Sequence, residues 1–312
     1  MIRGLGGVTL GRLQKEQFDE AAALIHASTN AWYLKNTGRV AFGCEPSGCR
    51  LFPDTYDALD AGQCITATDD GTGKLIGTCY LHPRETHIGV GIVNTAPDVA
   101  TAGVASLMLR EACAIADASG LPLRLVSAAS NMDSYSLYHR QGFVARQVFQ
   151  DMLLHVPEDP ARLSSGIDTT GVRLASITDV PAIAVLERDL TGSYRPADWE
   201  HFLEADHFTV FVDVAADGTL RGAINVTNHA ANCTLGPAHA RDEASVCRLL
   251  AAALPVVAGR TALILVSPAA TTVTQLLYGW KARNSDIHLL QVRGSYTSPT
   301  GVQLMTFLPE SA

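Results

Sequence analysis

The segment HIGVGIVNTAPDVATAGVASLMLREACAIADASGLPLRLVSAASNMDSYSLYHRQGF occupies residues 87–143 and holds four predicted elements in a row. Its pattern of apolar residues predicts a strand over 87–94, a helix over 102–118, a strand over 123–128 and a short helix over 133–140. In the longer helix an apolar residue recurs every three or four positions, as in Met108, Leu109 and Ala112. One face of this helix is therefore expected to pack on a sheet.

The loop before that helix has the features of a phosphate-binding site. Pro97 makes the backbone irregular, and Gly103 lies at the start of the helix. A glycine lets the backbone approach a phosphate closely. The N–H groups of a first helical turn lack intrahelical partners, and the helix dipole is positive there. We therefore predict an anion site at Gly103.

With these elements the chain resembles the Gcn5-related N-acetyltransferases (GNAT). Their pyrophosphate loop, Q/R-x-x-G-x-G/A, corresponds to ATAGVA at residues 100–105, where Ala100 replaces the leading polar residue. Downstream, Asn131 and the segment LYHRQGF at residues 137–143 match the LYxxxGF ending that is common in the family. The resemblance implies an acyl-CoA donor, acetyl-CoA, bound by the N-terminal half.

The resemblance also implies which residues hold the donor and act on it. Tyr138 would lie beside the CoA sulfur, where its phenol could protonate the leaving thiolate. Main-chain N–H groups would polarise the thioester carbonyl. The implied donor-binding residues are Ile92, Val93, Thr101, Ala102, Gly103, Val104, Ala105 and Asn131.

A general base is needed because the attacking amine must lose a proton. The nearest candidates are Glu85 and His87, at the start of the predicted strand, and His82 just before it; Glu85 and His87 are favoured. A surface turn that places all three in solvent is the alternative. Cys79 has no activating histidine near it in the sequence, and we interpret it as a core residue of a strand.

The candidates for acceptor binding lie in STNAWYLKNTGR, residues 28–39, because the first two helices usually line the acceptor pocket in this family. Asn30 and Arg39 could hold an amide or a carboxylate, and Trp32 and Tyr33 could form an apolar wall with polar groups. The alternative is that Trp32 and Tyr33 are ordinary helix-packing residues.

The 312 residues are enough for two domains. A Pro-, Ser-, Gly- and Asp-rich segment predicts a linker at 158–170 between an N-terminal domain of residues 1–157 and a C-terminal domain of residues 171–312. Each half is predicted to begin with a strand and a helix, followed by a hairpin with an Asp-Gly turn. The predicted fold is α/β (α+β), with two tandem GNAT-like domains, each a mixed, mostly antiparallel sheet flanked by helices.

The wider resemblance is to a bacterial group of tandem acetyltransferase-like proteins. It is carried by residues 28–39, 149–158, 278–294 and 305–310. This group implies the fold and the class of donor but leaves the acceptor open.

The corresponding loop of the second half is TLGPAHARDEASVCRLLAAAL, residues 234–254. It contains Gly236, and then Asp242 and Glu243 begin the helix, where acidic side chains would repel a pyrophosphate. We predict that this half has lost CoA binding. Arg283 and Arg293 suggest a separate site for an anionic group, and a solvated strand and turn is the alternative.

The composition excludes several classes of protein. With 23 Lys and Arg against 31 Asp and Glu the net charge is −8, which argues against an extended nucleic-acid surface. No apolar run is long enough for a signal peptide or a membrane span, so a cytoplasmic protein without membrane contact is expected. Seven scattered cysteines without a CxxC pair indicate reduced thiols and no metal site.

The sequence therefore predicts an acyl-CoA-dependent N-acetyltransferase that acetylates a primary amine of a small molecule, with a homodimer possible. One alternative is a non-catalytic protein that senses CoA or a metabolite. The other is a transferase of the same fold that uses a different activated donor, such as aminoacyl-tRNA.

Overall fold

The computed structural model describes residues 3–5, 7–99 and 103–308. Their strands are β1 (Arg3–Leu5), β2 (Val8–Arg12), β3 (Ile65–Asp69), β4 (Leu75–Pro83), β5 (Ile88–Thr95), β6 (Leu123–Ala128), β7 (Val144–His155), β8 (Val172–Leu174), β9 (Phe208–Val214), β10 (Leu220–His229), β11 (Asn232–Ala240), β12 (Thr261–Val266), β13 (Arg283–Arg293) and β14 (Val302–Met305).

The helices are α1 (Phe18–Thr37), α2 (Leu51–Asp60), α3 (Val104–Ser119), α4 (Met132–Arg140), α5 (Ala161–Ser164), α6 (Val180–Thr191), α7 (Pro196–Glu204), α8 (Glu243–Ala253) and α9 (Thr271–Gly279). The four elements predicted over residues 87–143 are confirmed, with ends that differ by at most two residues. Local periodicity was sufficient here because each element buries one continuous face.

The strands of the described residues form one sheet in the order β1-β2-β3-β4-β5-β6-β13-β7-β12-β14-β11-β10-β9-β8. The pairing is antiparallel except for β5 with β6 and β11 with β12. The predicted mixed, mostly antiparallel sheet flanked by helices is thus confirmed. The halves also exchange strands, because β13 of the second half lies between β6 and β7 of the first.

The helices cover both faces of this sheet, and three of the hydrophobic clusters of the described residues contain side chains of both halves. On the face that we call the acceptor face, Phe18 of α1 and Phe52 of α2 belong to the same buried cluster as Trp199 and Phe202 of α7. On the opposite face, which we call the donor face, α3 packs on the first half through residues such as Met108. The two halves therefore share a core as well as a sheet, and their division at 158–170 stays a prediction.

The linker segment contains the short helix α5. In the part of the chain that the structure describes, no helix combines the length and the apolar character needed to cross a membrane.

Candidate functional site

A wedge opens in the sheet between β5 and β6. These parallel strands pair only at their first residues, Ile88 with Leu123 and Gly89 with Arg124. Beyond this point β5 remains paired with β4 on its other edge, and β6 remains paired with β13. The carboxyl ends of β5 and β6 therefore separate and leave a gap in the sheet between the donor face and the acceptor face.

A β-bulge on β5 lies in the wall of this wedge. The register with β4 passes from Cys79↔Val93 to Leu81↔Val90, so Gly91 and Ile92 together lie opposite Tyr80. Such a bulge leaves backbone groups outside the regular ladder. The carbonyl oxygen of Gly91 lies 2.6 Å from His82 Nε2, which fixes the bulge to the neighbouring strand.

The N-terminus of α3 follows β5 at the open end of the wedge. Gly103 precedes the helix with φ of 86°, a left-handed conformation that glycine adopts without strain. Among the described residues no side chain caps this end, and the first turn contains no acidic residue. Val104 is buried, and Ala105 is half-buried. Thr101 and Ala102, together with Ala100, lie outside the described residues. The described part of this helix end has the free N–H groups and positive dipole that attract an anion.

Gly77 on β4 sets how closely α3 approaches the sheet. A Cβ atom at this position would lie 2.8 Å from Met108 Cε and 3.1 Å from Val104 Cγ1. Both of these side chains are buried. The absence of a side chain at Gly77 thus allows the first turn of α3 to lie directly on β4.

The predicted donor residues of β5 point to the two sides of the sheet. Ile92 packs against the cluster on the acceptor face, and Val93 packs against the cluster on the donor face. Tyr138 on α4 belongs to the donor-face cluster, and its ring centroid lies 5.8 Å from that of Phe143. Asn131 caps α4, because its Oδ1 accepts a hydrogen bond of 3.1 Å from the Ser134 N–H. The carboxamide oxygen of Asn131 thus has a structural role.

Glu85 and His87 lie at the closed end of the wedge, where β5 is paired on both sides. Glu85 is exposed on the turn before β5. His87 is buried, and this burial, together with the positive charges of Arg124 and Arg195, holds its pKa well below the ordinary histidine value. The structure therefore does not bring either residue to the open end, where the bulge and Gly103 lie.

The side chain of Asn30, a predicted acceptor-binding residue, makes its contacts within the protein. Its Oδ1 accepts hydrogen bonds from the backbone N–H groups of Ala41 and Phe42, at 2.9 and 2.8 Å. Its Nδ2 lies 2.9 Å from the Phe42 carbonyl and 3.1 Å from His26 Nε2. The bonds to the backbone of residues 41–42 fasten the loop after α1.

The other predicted acceptor residues of α1 differ in exposure. Trp32 and Tyr33 are half-buried, with ring centroids 5.0 Å apart, and Arg39 is exposed just after the helix. Burial and the negative charges of Asp151 and Asp286 raise the pKa of Tyr33 to about 12. Tyr33 therefore lies near carboxylates of β7 and β13, which are distant in sequence.

Arg283 and Arg293 do not form one anion site. They lie at opposite ends of β13, and ten residues of extended chain span roughly 30 Å. Arg283 is exposed. Arg293 makes a bidentate ion pair with Asp117 of α3, at 2.6 and 3.0 Å, and its Nε donates to the Gln141 carbonyl. Arg293 thus fastens α3 and the end of α4 to β13.

In the second half, the helix N-terminus and the gap between the parallel strands that correspond to this site are both occupied by other groups of the protein. Asp242 caps α8 by accepting a hydrogen bond of 2.7 Å from the Ser245 N–H, and Glu243 accepts one from Val273 N–H. Gly236 lies inside β11, so the expectation that it belongs to the loop before this helix was wrong. The parallel strands β11 and β12 also diverge after one pair, but β14 lies between them and pairs with both.

Buried charges connect the second half to the bulge, a feature that the sequence did not indicate. Arg84 follows β4 and binds Asp60 of α2 and Asp198 of α7. The same Asp60 lies 2.8 Å from His82 Nδ1, and His82 contacts the Gly91 carbonyl. Burial alone would raise the pKa of Asp60, but the hydrogen bonds from His82 and Arg84 outweigh it and lower this pKa.

Cys79 is fully buried, and this burial raises the pKa of its thiol to about 12, as expected of a core residue rather than a nucleophile. Within residues 7–99 and 103–308, no group of three or more His, Cys, Asp and Glu side chains is arranged to hold a metal ion.

Comparison with known proteins agrees with this geometry. Residues 31–143 match the family model described as the acetyltransferase (GNAT) family, which covers about a third of the chain and includes the wedge, α3 and α4. No curated protein matches the chain in sequence.

Solved structures are similar over most of the chain. A candidate acetyltransferase from Pyrococcus horikoshii has a TM-score of 0.74 at 12% identity, with 97% of this chain and 96% of that chain covered. A GCN5-related N-acetyltransferase from Sphaerobacter thermophilus has a TM-score of 0.63 at 13% identity, with coverage of 93% and 96%. The N-myristoyltransferase of Saccharomyces cerevisiae, solved with bound myristoyl-CoA, has a TM-score of 0.60 at 10% identity, with coverage of 96% and 81%.

At these identities the likeness shows the fold alone. The family match and the shared fold together lead to one conclusion: residues 31–143 are similar to the GNAT acetyltransferase family, and the chain shares the fold of these solved structures over nearly its full length.

Proposed function

We propose that this protein is an acyl-CoA-dependent N-acyltransferase, and that it moves an acetyl group from acetyl-CoA to a primary amine of a small molecule. The observation that carries this proposal is the open wedge between β5 and β6, which ends at the uncapped N-terminus of α3. We further propose that residues 1–157 form the domain that binds the donor. Residues 171–312, joined to it through the linker 158–170, would complete the fold and form part of the acceptor site.

The donor side suits a pyrophosphate joined to a narrow chain. The free N–H groups after Gly103 would bind the pyrophosphate, since no acidic side chain competes for them. The wedge would admit the pantetheine arm and bring the thioester to the bulge at Gly91 and Ile92. The family match over residues 31–143 and the fold shared with a protein solved with myristoyl-CoA support a CoA-derived donor.

The residues along this path can provide the separate catalytic groups that acyl transfer needs. Acyl-CoA supplies an activated thioester. Backbone N–H groups of the bulge would stabilise the negative charge that develops on the carbonyl oxygen. Tyr138, on the donor face, would give its phenol proton to the sulfur as the C–S bond breaks. The acceptor amine would approach from the acceptor face, under α1.

The second half is proposed to bind no acyl-CoA in the corresponding place. A donor there would have to displace β14 from between β11 and β12, and it would meet the carboxylate of Asp242 at the start of α8. The catalytic wedge is therefore proposed for the first half alone.

The experiment compares two variants at Gly103 by titration calorimetry with CoA and acetyl-CoA. Gly103→Asp places a carboxylate at the start of α3, and Gly103→Asn is nearly the same size, uncharged and tolerant of the left-handed conformation. We expect the parent to bind both ligands, Gly103→Asn to bind more weakly and Gly103→Asp to bind least. Equal affinity in the two variants would contradict the assignment of the pyrophosphate site.

Thiol release from acetyl-CoA in the presence of small primary amines then separates the possible functions. Release that depends on an amine supports the transferase. Binding of CoA without any release would instead support a protein that senses CoA. If the protein instead binds aminoacyl-tRNA in a salt-sensitive way and has no affinity for acetyl-CoA, then aminoacyl-tRNA would be the donor.

A further inference from the structure

A histidine and a carboxylate form a buried pair on the acceptor face of the sheet. Nδ1 of His288, on β13, lies 2.7 Å from Oδ1 of Asp151, on β7. The two side chains are only 5% and 6% exposed. Among the described residues, Nε2 of His288 has no hydrogen-bond partner. A carboxylate that accepts from Nδ1–H leaves Nε2 as the nitrogen that can take up a proton.

This pair lies next to the open end of the wedge. His288 is paired with Ala128, the last residue of β6, so the imidazole is one strand away from the gap. Leu290, two residues along β13, and Val126, its partner on β6, belong to one buried cluster. Since side chains two residues apart share a face of a strand, His288 points to the same side as these residues.

Helix α1 lies against one wall of the wedge. On β5, Asn94 Nδ2 donates a hydrogen bond of 3.2 Å to Thr29 Oγ1. One helical turn later, burial and the charges of Asp151 and Asp286 raise the pKa of Tyr33. The helix thus contacts β5 and places Tyr33 within electrostatic range of the two carboxylates.

Several elements contribute side chains around His288. The titratable side chains are Asp151 on β7, Asp286 on β13 and Tyr33 on α1. The ring of Phe307 packs against the imidazole, with centroids 4.9 Å apart. Asp286 accepts a hydrogen bond of 2.6 Å from Ser130 Oγ, just after β6. The surroundings of the open end therefore contain two carboxylates, which would attract a positively charged amine.

We propose that His288, oriented by Asp151, is the general base that deprotonates the acceptor, and that the acceptor is a cationic primary amine attracted by Asp151 and Asp286. This inference rests on the proposed function. Its two parts follow from the same cluster, because an ammonium ion drawn to carboxylates must lose a proton before its nitrogen can attack.

The protons and bonds balance in this scheme. Nε2 of His288 takes one proton from the ammonium group and passes it to solvent. The nitrogen lone pair then forms the C–N bond to the thioester carbonyl carbon, and the C–S bond breaks. The sulfur leaves with the electron pair and takes the phenol proton of Tyr138. The second amine proton returns through His288 and solvent to Tyr138, so the net reaction releases one proton.

The test measures thiol release from acetyl-CoA as a function of pH, with water, butylamine, 1,4-diaminobutane or β-alanine as the nucleophile. We compare the parent with His288→Gln, Asp151→Asn and the control His155→Gln, which changes an exposed histidine at the end of β7. Calorimetry with CoA is run on each protein, because a base on the acceptor face should not contribute to donor binding.

We expect release by the parent to be faster with the cationic amines than with zwitterionic β-alanine. His288→Gln should lower the rate by about 100-fold or more and change its pH profile, with CoA affinity unchanged. Added imidazole should partly restore activity in His288→Ala, which a purely structural role would not allow. His155→Gln should behave like the parent.

The outcomes separate this inference from the proposed function. A parent that binds no acetyl-CoA overturns both. A parent that binds acetyl-CoA but releases no thiol with any of these nucleophiles overturns the assignment of His288, and so does a His288→Gln variant with the parental rate and pH profile. Loss of CoA affinity in His288→Gln would show that the residue supports the fold and not the proton transfer.

Discussion

Replacing Arg84 with methionine tests whether buried charges hold the two halves together. The guanidinium lies 2.6 and 3.1 Å from the oxygens of Asp60 in the first half, and 2.7 and 2.5 Å from those of Asp198 in the second half. The Arg84 side chain is 7% exposed, and that of Asp198 is fully buried. Methionine keeps the length and apolar contacts of the side chain but removes the charge and the donors.

The expected loss follows from what Arg84→Met leaves behind. Asp198 would retain only Arg195, at 3.9 Å, and Asp60 would retain His82. Removing one partner of a buried ion pair costs about 3–5 kcal/mol. Each kcal/mol lowers the melting temperature of a chain of this order of size by about 2–4 °C. We therefore expect Tm to fall by roughly 6–20 °C at neutral pH.

The assay is differential scanning calorimetry, with Arg173→Met as the matched control. Arg173 forms an ion pair of 2.7 Å with Asp179, but its side chain is 51% exposed, and such pairs contribute about 0–1 kcal/mol. A triple variant that also changes Asp60 and Asp198 to asparagine should recover part of the loss, because it leaves no unpaired buried charge. If Arg84→Met and Arg173→Met melt at the same temperature, the buried ion pairs do not join the halves as argued.

Three further predictions concern the packing of α3, acid stability and thiol reactivity. Gly77→Ala should lower the free energy of unfolding by about 1–3 kcal/mol and weaken acetyl-CoA binding, because its Cβ would come within 2.8 Å of the buried Met108 Cε and 3.1 Å of Val104 Cγ1 and push α3 outward. Gly279→Ala enters open space and should change neither property in calorimetry. Although burial opposes ionisation, basic partners lower the folded-state pKa of Asp60 and Glu187. The stability that these carboxylates contribute is therefore fully present above their ordinary pKa values of about 4, and it is lost as the pH falls further. A free energy of unfolding in urea that does not change down to about pH 3 would contradict this. Burial raises the pKa of Cys79 to about 12, so iodoacetamide should not label it in the native protein at about pH 8, and mass spectrometry that detects native labelling would contradict this.

Much of the first half could be predicted because its signals are local. The strand at residues 123–128, Gly103 before a helix, and the LYHRQGF segment are contiguous patterns whose meaning does not depend on distant residues. The acidic start of α8 was informative for the same reason, since Asp242 caps its own helix.

Individual side chains of α1 could be predicted less well. Asn30 and Tyr33 have the same chemistry in a binding pocket as in a structural contact. Their surroundings depend on which groups lie opposite, namely the backbone of residues 41–42 for Asn30 and the carboxylates of β7 and β13 for Tyr33.

The sequence by itself determined that strands and helices alternate, and that one half has a glycine at the start of its helix where the other has a carboxylate. Only the tertiary structure decided which strands became neighbours: β13 between β6 and β7, and β14 within the second wedge. It also decided which charges met, such as His288 with Asp151 at a separation of 137 residues, and Arg84 with Asp198 at 114. Strand order and the pairing of buried charges depend on packing across both halves, and a periodic pattern within one segment carries no information about that packing.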